Sequence, residues 1–434
     1  MIIVDKALAS RLAADKPIRV AMVGAGYSAK HICSQILSSF PAMHLAVIAN
    51  RTLENAESVF SIAGASGVVR VSSAAELDQV IAKRGFSVTD DPDVIFDCEQ
   101  IDAVIETTGE VDYGARIALQ SIKSGKHTIV LNCEMDATVG PILKKYADDI
   151  GVIYSNTDGD EPGVASNLAR FVSTIGLEVV GAGNLKGFYD VHRTPDTQRA
   201  FAEEHNQKPH MMTSFVDGTK LSMELTVLAN GLGFGVGKRG MHGPACDDVR
   251  TCLEHFPADA FGAGRGIVDF LLGASPYTGA FVVGHSEQPL KQDYLQYLKM
   301  GEGPFYVFYT PFHLPQLEIP ITVARAVLLD DATVTPKGEP SCDALAVAKK
   351  DLQAGDVLDG IGGFTAYTLI DNFATCLQQN LLPMGVVEGC RLTRDVKADT
   401  PLTYADVTLP EDRLVDRLRD EMTAHFFGKA GGTG

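Results

Sequence analysis

Two lysines stand where a carbonyl or an anion would be met: Lys186 in Gly183-Asn184-Leu185-Lys186-Gly187, and Lys220 in Asp217-Gly218-Thr219-Lys220. Each follows an apolar run and sits beside glycine, so an ammonium group is presented where backbone bulk is small. A fixed positive charge of this kind stabilises an oxyanion as it develops. Glu224 lies four residues after Lys220, on the same face of either a helix or a strand but a near neighbour only in a helix. It would orient the ammonium there; a surface ion pair is the alternative. Between the two lysines lies a polar stretch with Asp190, His192, Arg193 and Thr194, and Arg193 adds a third cation suited to an acidic substrate. His242, in the stiff turn Gly240-Met241-His242-Gly243-Pro244, reads either as a substrate contact or as a hydrogen-bonded structural residue.

Three carboxylates, Asp158, Asp160 and Glu161, fall within four residues of Asn156-Thr157-Asp158-Gly159-Asp160-Glu161-Pro162-Gly163. Acidic residues favour the first turn of a helix, here expected over 164–174, which gives a solvated capping loop. The functional reading needs only one of the three carboxylates to face the cleft, to hold a substrate hydroxyl or a divalent cation. Both readings stand at this point, and the identity of any metal is open.

The cofactor signal lies upstream. Val20 to Gly24 is an apolar run that enters the turn Gly24-Ala25-Gly26-Tyr27-Ser28-Ala29, followed by a helix-length stretch with Ile32, Ile36 and Leu37 and a second apolar run, Leu45 to Ala49. This strand, glycine turn, helix, strand order brings backbone N–H groups and the positive helix end against a pyrophosphate. The second strand ends in Asn50, Arg51 and Thr52, where the ribose is read. No carboxylate stands there. A carboxylate would repel a 2′-phosphate, whereas Arg51 beside small polar groups clasps one, so the expected cofactor is NADP (NADPH), with a solvent-facing Arg51 as the alternative. Two later strand ends join the cofactor-binding set: Thr107, Thr108 and Gly109, which end the strand expected over 103–109, and Asn132 and Glu134, which follow the strand His127 to Leu131.

The elements that must position these residues form an α/β chain. Residues 1–156 read as a dinucleotide-binding Rossmann domain with a parallel sheet of about six strands, an insertion over 53–100, helices over 112–123 and 141–150, and a last strand over 152–155. Residues 157–338 read as an α+β catalytic and dimerisation domain, with strands over 177–181 and 210–216. The aromatic run Phe305-Tyr306-Val307-Phe308-Tyr309 alternates like a strand and is expected to close a core or a subunit contact. Residues 339–410 change to short β pieces. There Lys350-Asp351-Leu352-Gln353-Ala354 returns 44 residues later as Arg394-Asp395-Val396-Lys397-Ala398, which suggests two related hairpins in a small domain. Residues 411–434 read as a helix and a Gly-rich tail.

Composition bounds the partners. At 434 residues the chain exceeds one ordinary core, and 45% hydrophobic with 21% charged residues is a globular composition. A net charge of −18 argues against nucleic acid and against anionic membrane. With no apolar run of spanning length and no signal-like N-terminus, the expected location is the cytoplasm. The eight scattered cysteines are expected as free thiols, Cys133 included, with packing rather than catalysis as its role. The expected partners are a small-molecule substrate and further copies of the chain, as a homodimer or a higher homo-oligomer.

Taken together, GAGYSA at 24–29, NCEMDATVGP at 132–141, GDEP at 159–162, SFVDGTK at 214–220, MHGP at 241–244 and AVAKKDLQAGDVLDGIGGF at 346–364 resemble the homoserine-dehydrogenase-like oxidoreductases that carry a C-terminal SAF (β-clip) domain. The resemblance extends to the 1-deoxy-D-xylulose 5-phosphate reductoisomerase-like branch, which uses NADPH. It implies that Asp160, Glu161, Lys220, Glu224, Asn230 and His242 occupy that branch's matching positions. The chain departs from the branch at Ser28-Ala29, which replace Met-Gly, and over 183–194. It departs from homoserine dehydrogenases at Cys133 and Glu134, where an Asn-Lys pair would end, so Lys186 or Lys220 would have to supply the missing charge. The expected function is an NADP-dependent oxidoreductase of a small polar carbonyl or alcohol, phosphorylated or acidic. The alternatives are a homoserine- or sugar-dehydrogenase-type enzyme of another pathway and a non-catalytic NADP-binding sensor.

Overall fold

The computed structural model describes residues 4–262 and 266–428. The chain forms two compact units, Met1–Gly163 with Leu314–Thr335, and Val164–His313 with Pro336–Gly434.

The first unit is built on a parallel sheet of β1 (Ile18–Val23), β2 (Met43–Ala49), β3 (Val69–Arg70), β4 (Ser87–Thr89), β5 (Ala103–Glu106), β6 (His127–Val130) and β7 (Tyr154–Asn156), in the order β3-β4-β2-β1-β5-β6-β7. The central strands read as near-continuous apolar runs because both sheet faces are covered. Ile18, Val20 and Met22 of β1 enter one core cluster, while Ala21 and Val23 enter another on the opposite face. The expectation of about six strands falls short because the insertion adds β3 and β4 at the edge. The helix expected over 141–150 instead spans Cys133–Ile150, capped by Asn132 Oδ1 accepting from the Met135 N–H, and it runs through Pro141. Tertiary packing of its largely buried first half overrides the proline.

Residues 314–335, expected within the second domain, belong to the first unit. Ile319, Val323, Ala324 and Ala326 of the helix Pro315–Leu329 join the cluster beneath β1, and Val334 bridges Asn156 of β7. Arg325, fully buried, bonds to Asp158 at 2.6 Å and to Asp331 at 2.8 Å.

The second unit holds a four-stranded sheet of β8 (Glu178–Lys186), β9 (Ile267–Leu272), β10 (Ala280–His285) and β11 (Phe305–Thr310), ordered β11-β10-β8-β9. The aromatic run is thus an edge strand. β8 extends to Lys186, five residues past the expected end. The helix Thr219–Leu232 lies on one face, packing Leu221, Leu225 and Leu228 against Ala182, Val268, Phe270 and Val282. Residues 210–216, expected as a strand, are part of the helix Pro209–Val216. Proline suits the first helical position, and the exposure of Met211 and Phe215 at i and i+4 shows the helical period that a short apolar run conceals.

In the same unit, β12 (Cys342–Ala348) pairs antiparallel with β13 (Ala366–Asn372), and β14 (Arg391–Leu392) with β15 (Val407–Thr408). The two echoing segments pair with each other instead of forming separate hairpins. Leu352 and Val396 exchange both backbone bonds; Asp351 accepts the Ala398 N–H at 3.0 Å and Asp395 the Ala354 N–H at 2.8 Å. Likewise Gly355 N–H reaches Leu392 O and Asp399 N–H reaches Ala348 O. Each contact recurs 44 residues on with donor and acceptor segments exchanged, which is the signature of a local two-fold axis. The last described helix is Leu414–Phe427. No helix among the described residues is long and apolar enough to cross a membrane.

Candidate active site

In the second unit Lys186, Lys220 and Glu224 are brought together. Lys186 ends β8, and Lys220 is the second residue of the helix Thr219–Leu232, whose 3.6-residue period puts Glu224 one turn above it. Lys220 Nζ lies 3.1 Å from Glu224 Oε1, and Lys186 Nζ lies 3.7 Å from Glu224 Oε2. Asn184, on the same face of β8 as Lys186, donates from Nδ2 to Glu224 Oε2 at 2.9 Å. The Glu224 side chain is 1% exposed and the two lysines 16% and 17%. The surface-ion-pair reading therefore fails, because both ammonium groups sit on a buried carboxylate. Gly183 lets β8 approach β9, since a Cβ there would lie 1.7 Å from Asp269 O.

His242 is placed elsewhere. Its partner, Asp269 of β9, pairs with Gly183, so its side chain leaves the sheet on the face opposite Asn184 and Lys186. His242 Nδ1–H donates to Asp269 Oδ2 at 2.7 Å, and the His242 and Gly243 N–H groups bond to the same carboxylate. Asn230 is also drawn away from Lys220, because its Oδ1 accepts from Ser341 N–H at 2.8 Å and Cys342 N–H at 3.1 Å at the start of β12. Arg193 is half-buried in its own loop, paired with Asp190 at 3.0 Å and stacked over Phe188. The carboxylates Asp160 and Glu161 are buried in the first unit; Asp160 accepts from Cys133 Sγ at 2.8 Å and Glu161 opens the helix Glu161–Thr174. All eight cysteines are free and buried.

The first unit shapes the glycine turn. Gly24, at φ +112°, brings its backbone so close to Thr107 that a Cβ would lie 2.6 Å from Thr107 Oγ1 and 3.0 Å from Thr107 O. Gly26 has open space where a Cβ would stand and precedes the helix Tyr27–Ser39, whose N-terminus carries no side-chain cap. Ala29 is buried against the sheet, Tyr27 is exposed, and Ser28 Oγ accepts from Gln316 at 3.3 Å. Past β2, Asn50 Nδ2 donates to Thr52 O, and Arg51 is exposed. Past β5, Thr108 donates its N–H and hydroxyl to the buried Glu106, Gly109 turns at φ +71°, and Asn132 Nδ2 reaches Glu110 O. Burial pushes the Glu106 carboxyl up to about 7, against the pull of Thr108 and Asn132, with Glu134 adding like charge.

Sequence reasoning missed Asn184, Asp269 and Glu106. Asn184 stood in the quoted Gly-Asn-Leu-Lys-Gly stretch, and β8 ending at Lys186 rather than Gly181 would have exposed its role. Asp269 lies inside an apolar strand and Glu106 ends one, and a carboxylate in such a run is the signal of a buried partner.

Residues 159–319 match the family model described as the catalytic domain of the oxidoreductase DRL, and residues 344–408 match the SAF domain. No curated protein matches the chain. Among solved structures, an NAD-binding oxidoreductase from Klebsiella pneumoniae is similar at 18% identity and a TM-score of 0.29, over 41% of this chain and 44% of that one. The Bacillus subtilis protein yvaA is similar at 14% identity and a TM-score of 0.39, over 73% and 91%. Levoglucosan dehydrogenase, solved with NADH and levoglucosan, is similar at 14% identity and 0.39 over the same shares. Residues 159–319 and 344–408 are thus similar to an oxidoreductase catalytic domain and to a SAF domain, in a chain that also forms a Rossmann-like parallel sheet.

Proposed function

We propose that the protein is an NADP-dependent oxidoreductase of a small polar carbonyl or alcohol, phosphorylated or acidic, with Lys220 as the group that meets the reacting oxygen. The observation that carries the reading is the convergence of Lys220 and Lys186 on buried Glu224, inside the segment that matches an oxidoreductase catalytic domain. Glu224 holds the two ammonium groups in fixed positions. Lys220 in turn stabilises the alkoxide that forms on reduction and donates the proton it takes up. Of the chemistries open to such a site, the reductoisomerase-like conversion of 1-deoxy-D-xylulose 5-phosphate is the first to test.

The residues of the glycine turn fit a dinucleotide. Gly24 lies against Thr107, Gly26 leaves space, and the uncapped helix N-terminus offers N–H groups to a pyrophosphate. Hydride transfer is the chemistry that a dinucleotide held there would supply. Arg51, with Asn50 and Thr52, would bind the 2′-phosphate, and the absence of a carboxylate at 50–52 supports NADP over NAD. The full-length protein is to be mixed with NADPH and a panel of phosphorylated ketoses, semialdehydes and unphosphorylated sugars, with and without a chelator. Substrate-dependent loss of NADPH absorbance is expected with a phosphorylated or acidic member. No turnover of any member, with NADPH bound, would leave a sensor instead.

A further inference from the structure

The helix that carries Lys220 and Glu224 is fixed at three points, two by the SAF segment and one by the residues that lead into it. Before its start, Lys349 Nζ is 2.8 Å from Asp217 Oδ2, 2.9 Å from Arg193 O and 2.8 Å from Gly363 O, so all three ammonium protons are used in a site that leaves the side chain 2% exposed. The other oxygen of Asp217 accepts the Thr219 N–H at 2.9 Å, the first residue of the helix and the neighbour of Lys220. In the first turn, Ser222 Oγ donates to Thr368 O of β13 at 3.1 Å. In the last turn, Asn230 receives the Ser341 and Cys342 N–H groups at the start of β12.

A buried lysine is a costly way to hold two segments together, because each ion must be stripped of water and an apolar pair of the same size often does as well. What the ion pair adds is direction. Lys349 selects one orientation of Asp217, and Asp217 sets where the first turn begins. We infer that Lys349 is a positioning residue through which the SAF segment orients the helix bearing Lys220 and Glu224, so that this segment is part of the catalytic apparatus without touching the substrate. This rests on the reading of Lys220 given above. A displacement of about 1 Å at a reacting group is enough to lower turnover by roughly 100-fold.

The test uses the full-length chain with Lys349→Met, Asp217→Asn and both together, and reads kcat, KM, NADPH affinity and hydrogen exchange at residues 219–224. The Asp217→Asn side chain keeps a carbonyl oxygen for the Thr219 N–H, so it removes the charge pair while sparing the cap. Expected for Lys349→Met are a fall in kcat of about 10- to 100-fold, NADPH affinity within about twofold, and faster exchange confined to 219–224. The double variant leaves no unpaired buried charge, so its melting temperature should recover while its kcat stays low. Recovery of both together, or a Lys349→Met protein with the parent's kcat and exchange, would overturn the inference. If Lys349→Met fails to fold, the double variant decides alone by the same criterion. Should Lys220→Ala prove fully active while Lys349→Met still loosens 219–224, the anchoring stands and the assignment of Lys220 falls.

Discussion

The Lys220 ammonium owes its position to one turn of helix, since Glu224 lies above it and is itself held by Asn184 from a neighbouring strand. Lys220→Ala should lower turnover by ~100-fold or more, the common cost of losing one oxyanion donor, with the fold and NADPH binding retained. Steady-state kinetics on the substrate found in the panel will measure it. At the far end of β2, Arg51→Asp should turn a preference for NADPH into one for NADH, read by fluorescence titration of both cofactors. Glu106 yields a pH prediction. Its folded-state value, up to about 7 from an ordinary 4.5, means that the folded protein holds a proton that the unfolded chain has already released. Its contribution is complete below about pH 4.5 and is lost as pH rises through about 7, a loss on the order of 3 kcal/mol. Glu106→Gln should flatten that part of the stability profile and stabilise the protein at about pH 8, as urea unfolding across the range will show.

At the scale of elements, each place where pattern reading fails has its own physical cause. The run over 210–216 is too short for alternation and helical period to be told apart, and Pro209 decided for helix by its fixed φ. β8 outruns its expected end because glycines within it serve close packing and do not terminate the strand. Gly183→Ala should therefore push β8 off Asp269 O of β9 and cost about 1–3 kcal/mol or more, a typical overpacking penalty, measurable as a lower urea midpoint. The 44-residue echo was legible as a repeat, yet not as a pair of segments that bond to each other, because sequence similarity carries no information about which copy faces which.

For the whole molecule, the chain leaves the first unit at Gly163 and returns to it at Leu314. Arg325 is the clearest mark of that return, since it is fully buried and paired with Asp158. Arg325→Leu leaves the Asp158 carboxylate without its guanidinium and should cost about 3–5 kcal/mol, seen as a lower melting temperature of the first unit.

What the sequence determined by itself is local chemistry that a short window contains: the glycine turn between a strand and a helix, the missing carboxylate at 50–52, and a lysine and a glutamate four residues apart on one face, which the helix Thr219–Leu232 then made near neighbours. These are readable because the backbone's periods and the special freedom of glycine act over a few residues. Only the tertiary structure decided that His242 lies on the opposite sheet face from Lys186, that Asn230 is spent on β12, and that Lys349 of a distant segment anchors the helix of Lys220. Those outcomes depend on strand register and on which buried polar groups satisfy one another across more than a hundred residues. No local pattern encodes that pairing.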